Sequence, residues 1–293
     1  MTHALPMPRR SVLYVPATNQ RAIAKCASLP CDAVVFDLED AVAPAMKQAA
    51  REQLAQAFAP GRPGPQCCVI RSNGLADADF AQDLALVARV RPDALLVPKL
   101  ASVQDAEALC AAVAPLDARV RLWVMVETAG ALSVLDGIVA CLQAGTRLDC
   151  LVVGTNDIAK ETGVSTAGGR AYLVPWLMRC VLAARRFGVG VLDGVWNDFA
   201  DQAGFAAELA QSVRMGFDGK TLIHPSQVDA ANRAFAPAEA ALRDARAVVE
   251  AFAQPAHAAA GVIQIDGRMV ERLHLAQAER LLALQAAIAA RAT

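Results

Sequence analysis

The sequence predicts an α/β chain folded as a closed (β/α)8 barrel, and three observations lead there. Eight short runs of Val, Leu and Ile alternate with seven amphipathic segments. The runs recur every 20 to 35 residues or so, about the length of one strand–helix unit. They are apolar throughout instead of alternating with polar residues, as parallel strands covered on both faces are. An open doubly wound sheet would also alternate strands with helices, but a count of eight favours closure. Its nucleotide-binding signatures, G-x-G-x-x-G after the first strand or a P-loop, are absent.

Taken in order, Ser11–Val15 is a short strand closed by Pro16, and Thr18 is expected to cap a helix running to Leu29. Strand Ala33–Phe36 ends in Asp37-Leu38-Glu39-Asp40, and a helix follows over Lys47–Phe58. Strand Cys67–Ile70 ends on Arg71; Phe80, Leu84 and Val87 then stand at i, i+4 and i+7 on one helical face. Strand Ala94–Val97 ends in Pro98-Lys99, and Ser102 with Asp105 opens the next helix as a capping box. Leu122–Val126 runs into Glu127, and a helix over Ala131–Gln143 follows. Leu151–Val153 ends in a Gly154-Thr155-Asn156 turn before Asp157. A helix over Ala171–Phe187 leads to Val189–Leu192 and Asp193, and one over Ala203–Met215 leads to Thr221–Ile223 and His224. Residues 1–225 complete the barrel. Residues 226–293 are expected to add a C-terminal helical extension belonging to the same functional unit, with helices over Ala238–Phe252 and Val270–Ala290 and an extended piece at Gly261–Ile265. Extra helices packed under the barrel are the other reading of that extension.

Composition excludes several classes. A net charge of −1 gives nucleic acid or an anionic membrane nothing to bind. No run of about 18 uncharged apolar residues is long enough to span a bilayer. The segment MTHALPMPRR lacks the apolar stretch of a secretory leader, so a cytoplasmic location is expected. The cysteines Cys26, Cys31, Cys67, Cys68, Cys110, Cys141, Cys150 and Cys180 form no CxxC pair and read as buried hydrophobes. His3, His224, His257 and His274 have no metal-ligand spacing.

Active sites of such barrels lie at the C-terminal ends of the strands. Here those ends carry Asp37, Glu39, Asp40, Arg71, Lys99, Glu127, Asp157, Asp193 and His224, which together imply a polar, metal-binding pocket. Glu127 and Asp157 follow neighbouring buried strands and could converge as hard oxygen ligands suited to Mg²⁺. Capping the helices that follow is the plainer role for both, and for Asp37 and Glu39. Lys220, in the turn Gly216–Lys220, precedes its strand and is assigned to the opposite, structural rim.

Seven blocks in order, RRSVLYVPA, DAVVFDLEDAV, VIRSNG, LLVPKL, VMVETAGAL, GTNDIAKETG and GFDGKTLIHPSQ, resemble the citrate lyase β-subunit and its stand-alone relatives, the malyl-CoA, citramalyl-CoA and citryl-CoA lyases. The resemblance runs from Arg9 to Gln227 and more weakly through DGRMVERLHLAQA. It implies a TIM barrel of the pyruvate/phosphoenolpyruvate-binding type, a Mg²⁺ cofactor and a homotrimer. It also implies carbon–carbon cleavage of a 3-hydroxyacyl-CoA to an acyl-CoA and a 2-oxo acid, or the reverse condensation. By position, Glu127 and Asp157 become the Mg²⁺ ligands and Arg71 holds the reacting oxygen. Asp37 and Glu39 would bond to metal-bound water. Tyr14, Arg21 and Lys25 match positions that contact coenzyme A, although Arg21 and Lys25 alone would read as a solvated helix face.

Two departures stand out. Ala17 replaces a usual glycine. Glu271-Arg272-Leu273 stands where the resemblance implies an Asp followed two residues on by Pro, the Asp serving as acid/base in a neighbouring subunit's site. Glu keeps the carboxyl group and changes its reach. Two further readings stay open: a Schiff-base aldolase using Lys99, and a complex-bound β subunit acting on an acyl-carrier protein.

Overall fold

The computed structural model describes residues 7–257 and 260–292. His3, and the first six residues of the segment read for a leader, lie outside them. Arg9–Ala234 form one compact unit. In it, eight parallel strands close into a barrel in chain order: β1 (Ser11–Pro16), β2 (Ala33–Asp37), β3 (Cys67–Arg71), β4 (Ala94–Val97), β5 (Arg121–Val126), β6 (Leu148–Val153), β7 (Gly190–Asp193) and β8 (Gly219–Leu222). β8 pairs back onto β1 through Ser11 and Lys220, Val12 and Thr221, and Leu13 and Leu222. The predicted fold class is thus the observed one.

The helices run α1 (Gln20–Cys26), α2 (Lys47–Ala57), α3 (Phe80–Val90), α4 (Val103–Val113), α5 (Ala129–Ser133), α6 (Leu135–Gly145), α7 (Thr155–Thr162), α8 (Val174–Phe187), α9 (Gln202–Met215) and α10 (Val228–Ala234). Asn19, not Thr18, caps α1: its side-chain oxygen accepts the Ala22 N–H at 3.0 Å, and Thr18 lies one residue too early. The Ser102–Asp105 capping box of α4 is present. The one helix expected over Ala131–Gln143 is broken at Val134 into α5 and α6, and two further helices were not expected. The Gly154-Thr155-Asn156 turn is instead the start of α7, whose first turn contains Asp157. α10 packs against β1, β8 and α9, which extends the compact unit past Pro225 to Ala234.

Strand side chains alternate between the barrel interior and the helix layer. The inward set includes Val12, Val35, Val69, Leu96, Trp123 and Val152, all buried. At the N-terminal end the interior is closed by Arg9, whose guanidinium stacks over the Trp123 ring at 5.4 Å and pairs with Asp149. Asp149 also accepts the Trp123 Nε1–H at 2.9 Å. Glycine is required at 219, because a Cβ there would sit 1.7 Å from the Arg9 carbonyl oxygen.

The same alternation corrects two expectations. Leu192 points inward, so its neighbour Asp193 points out into the helix layer. Lys220, paired in register with Asp193, lies within β8 instead of before it. Its ammonium donates to Asp193 (2.9 Å) and Glu208 (2.6 Å), while Arg170 donates to Asp193 at 2.7 Å. This buried ionic cluster braces β7 and β8 against α9 and contributes nothing to the barrel mouth.

From Phe235 on, the described residues belong to a second compact unit. There α11 (Glu239–Ala253) packs against α12 (Arg272–Ala292). Between them lies an antiparallel hairpin, β9 (Val262–Ile265) and β10 (Arg268–Glu271). Asp266 (φ 49°) and Gly267 (φ 78°) make its two-residue turn. Val270 and Glu271 therefore end a strand and do not begin a helix. Cys26, Cys67, Cys68, Cys150 and Cys180 are free and buried, Cys110 and Cys141 are free and half-buried, and Cys31 is buried.

Candidate active site

Where the inward side-chain rows of β2, β3 and β5 run out of barrel, their next members are Asp37, Arg71 and Glu127. All three are buried under a cleft of about 390 Å³ at the C-terminal mouth. Arg71 is clamped to Asp37 by two bonds, Nε to Oδ1 (2.8 Å) and Nη2 to Oδ2 (2.6 Å). Such forked pairing fixes the plane of the guanidinium. Its Nη1 lies 2.7 Å from Glu39 Oε2, and the Tyr14 ring lies beneath it at 4.9 Å. Asp37 also accepts the main-chain N–H groups of Glu39 (2.8 Å) and Ala41 (3.2 Å), which tie down the loop after β2.

Glu127 is the most perturbed carboxyl in the cleft. Burial first, and then the charges of Glu39 and Asp157, push it up to about 8. Its Oε1 accepts the Lys99 main-chain N–H at 2.8 Å; its Oε2 is buried and has no hydrogen-bond partner. Space for this carboxylate comes from Gly154, where a Cβ would lie 2.6 Å from both Glu127 Cβ and Oε2. Asp157, half-buried in the first turn of α7, lines the same cleft. An unpartnered buried oxygen in a glycine-made cradle, beside a second carboxylate, fits a hard divalent cation. Mg²⁺ takes one or two carboxylates and completes its octahedron with water and substrate. Among the described residues, no three His, Cys, Asp or Glu side chains form a ligand cluster.

Glu39 and Lys99 form the rim. Burial raises the Glu39 carboxyl against the pull of Arg71 and Lys99. The Lys99 ammonium contacts Glu39 and lies 3.2 Å from Asp40. Neither Glu39 oxygen makes its contact in hydrogen-bond geometry. Partial burial pulls the Lys99 ammonium down, but Glu39 and Asp40 outweigh it and hold Lys99 above the ordinary lysine range. A Schiff-base lysine needs the reverse, a neutral amine in an apolar pocket.

The expected site residues therefore separate. Asp37, Glu39, Asp40, Arg71, Lys99, Glu127 and Asp157 come together, and Asp193 does not. Tyr14 lines the mouth under Arg71, whereas Arg21 and Lys25 are exposed on α1 and do not line the cleft. His224 lies on the exposed loop after β8, stacked on Phe199 at 4.7 Å. Glu271 ends β10 in the other compact unit, where its N–H donates to His274 Nδ1 at 2.9 Å.

Sequence reasoning missed the support beneath the site. Lys47, buried at the start of α2, donates to the carbonyls of Leu38 (2.6 Å) and Glu39 (2.7 Å) and to Asn73 Oδ1 (2.6 Å). Asn73 in turn donates to Asp83 at 2.7 Å, and Asp83 accepts from Arg51. The signal was visible: a polar Asp83 on the inward face marked by Phe80 and Val87.

Fold and site together define an enzyme whose chemistry occupies the C-terminal mouth of a (β/α)8 barrel. The family model described as HpcH/HpaI aldolase/citrate lyase matches residues 10–225, and the chain belongs to that family. It is 41% identical over 284 residues to a (3S)-malyl-CoA thioesterase of Cereibacter sphaeroides, covering 97% of this chain and 96% of the relative. It is 30% identical over 296 residues to an L-malyl-CoA/beta-methylmalyl-CoA lyase of Rhodobacter capsulatus, with 92% of each covered. Among solved structures, CitE of Mycobacterium tuberculosis in complex with magnesium, acetoacetate and coenzyme A is similar at a TM-score of 0.73 and 30% identity, covering 94% of this chain and 97% of that one.

Proposed function

We propose that the chain is a Mg²⁺-dependent lyase that cleaves a malyl-type 3-hydroxyacyl-CoA between its α and β carbons, or runs the reverse condensation. The observation that carries this is the unpartnered, buried Glu127 Oε2 beside Asp157, in the same mouth as a clamped guanidinium. The magnesium complex of the CitE relative supports the choice of ion.

In this reading Glu127 and Asp157 hold the ion, which when bound polarises the oxygens of the 2-oxo acid half and orients it. Arg71 donates to the thioester oxygen, where charge develops as the α–β bond breaks and the acyl half leaves as an enolate. Asp37 and Glu39 fix the aim of Arg71, and Tyr14 supports its plane from below. Arg21 and Lys25, exposed on α1, would meet coenzyme A phosphates. Glu271, in the unit beyond the barrel, would give or take the proton at the acyl α-carbon in a neighbouring copy's site within a trimer. Its place in an extension that the barrel does not need motivates that role. The mostly buried cysteines, which read as small hydrophobes, favour a reducing, cytoplasmic location, which fractionation of cells would check.

A second reading rests on the 41% identical relatives that are named thioesterases: water attacks the thioester carbonyl, and free coenzyme A leaves with the hydroxy acid. Product analysis on (3S)-malyl-CoA with Mg²⁺ separates the two. Carbon–carbon cleavage releases glyoxylate and acetyl-CoA with no free thiol; hydrolysis releases malate and one thiol per turnover. Failure either to cleave or to hydrolyse any of malyl-, citramalyl- and citryl-CoA would sink the proposal, and hydrolysis alone would leave only the second reading.

A further inference from the structure

Lys99 is one of three described non-glycine residues with a left-handed backbone, at φ 60°, and of these only Lys99 adjoins the site. L-residues other than Gly, Asn and Asp avoid this region, and where they occupy it in a site the strain belongs to the arrangement around them. Two contacts follow from the conformation. The Lys99 N–H reaches Glu127 Oε1 at 2.8 Å, while its side chain carries the ammonium to Glu39 and Asp40. One residue thus ties the end of β5 to the loop after β2.

We propose that Lys99 is a positioning residue whose left-handed main chain, more than its ammonium, fixes Glu127 for a divalent cation. By occupying Oε1, its N–H leaves Oε2 as the one free oxygen and holds Glu127 to single-oxygen ligation. Mg²⁺ with near-octahedral demands takes a carboxylate in that way. The proposal rests on the metal reading of Glu127 given above.

The test uses substitutions that all remove the ammonium and differ in their tolerance of positive φ. Lys99→Gly and Lys99→Asn keep the conformation readily; Lys99→Ala strains it, and Lys99→Val strains it most. Mg²⁺ affinity by titration calorimetry, on folded protein confirmed by thermal melting, is the readout. Gly and Asn are expected to bind within about threefold of each other, and Ala and Val about tenfold or more weakly, as expected when an outer contact to a metal ligand is lost. If Val fails to fold, Ala against Gly reads the same difference. Equal affinity in the Gly, Asn and Ala variants, with the unsubstituted chain binding Mg²⁺, would overturn the positioning role alone. No Mg²⁺ binding by the unsubstituted chain would remove the metal reading beneath it.

Discussion

Replacing Gly154 by alanine probes the site through a single methyl group. The added Cβ would stand 2.6 Å from Glu127 Cβ and Oε2 and 3.2 Å from Met125 Cε. Carbon contacts settle near 3.5 to 4.0 Å, so a gap of roughly 1 Å must open. Gly154 is not at positive φ (φ −99°), so backbone strain contributes little and crowding decides the outcome. Overpacking of this kind costs about 1–3 kcal/mol of stability. Displacing the Glu127 carboxylate should weaken Mg²⁺ about 10- to 100-fold, as misaimed metal ligands do. Calorimetric Mg²⁺ titration, with thermal melting in and out of Mg²⁺, measures both. Gly74→Ala is the control, because its nearest neighbour would be an ordinary 3.7 Å away. Unchanged Mg²⁺ affinity in Gly154→Ala would refute the cradle argument.

The remaining expectations concern charge, protons and the C-terminal unit. Arg71→Lys should lower kcat on the order of 10²-fold, since a forked donor is lost where charge develops. Arg21→Ala should instead raise KM, and steady-state kinetics showing the opposite split would reverse the two roles. Glu127 gives Mg²⁺ binding a pH dependence: its carboxyl holds a proton up to about 8, and the ion must displace it. The Mg²⁺ dissociation constant should therefore fall about tenfold per unit as pH rises toward 8, then level off. Over the same window the ion-free protein should lose stability, because the folded carboxyl binds its proton more tightly than the unfolded one. Flat affinity between pH 6 and 8 would contradict this. Glu271→Gln should keep Mg²⁺ and coenzyme A affinity and lose turnover, and mixing it with Arg71→Ala chains should restore some activity. Full activity in Glu271→Gln alone would make Glu271 a surface charge.

The barrel was legible because buried parallel strands leave uninterrupted apolar runs, such as Leu122–Val126, that need no context to read. Most of the mouth followed from the rule that strand ends carry the site. Asp193 shows where that rule falls short: position along the strand places a residue near the mouth, and only the period-two parity set by Leu192 says which way it points. The Asp266-Gly267 turn carried a hairpin signal that the helical pattern of the following residues obscured. α7 hid because its opening residues, Gly154 to Asn156, are also turn formers. The left-handed Lys99 and the chain from Arg51 through Asp83 and Asn73 to Lys47 join residues up to 59 apart, and local pattern carries no trace of such contacts.

The central claim is that Glu127 and Asp157 hold a divalent ion at the barrel mouth. Mn²⁺, which shares the oxygen ligands of Mg²⁺ and has a paramagnetic signal, tests it most directly. Electron paramagnetic resonance should show the unsubstituted chain removing one free Mn²⁺ per chain and Mg²⁺ competing it off. Glu127→Gln and Asp157→Asn should each leave the free signal nearly undiminished in folded protein. Undiminished Mn²⁺ uptake in both variants would contradict the assignment.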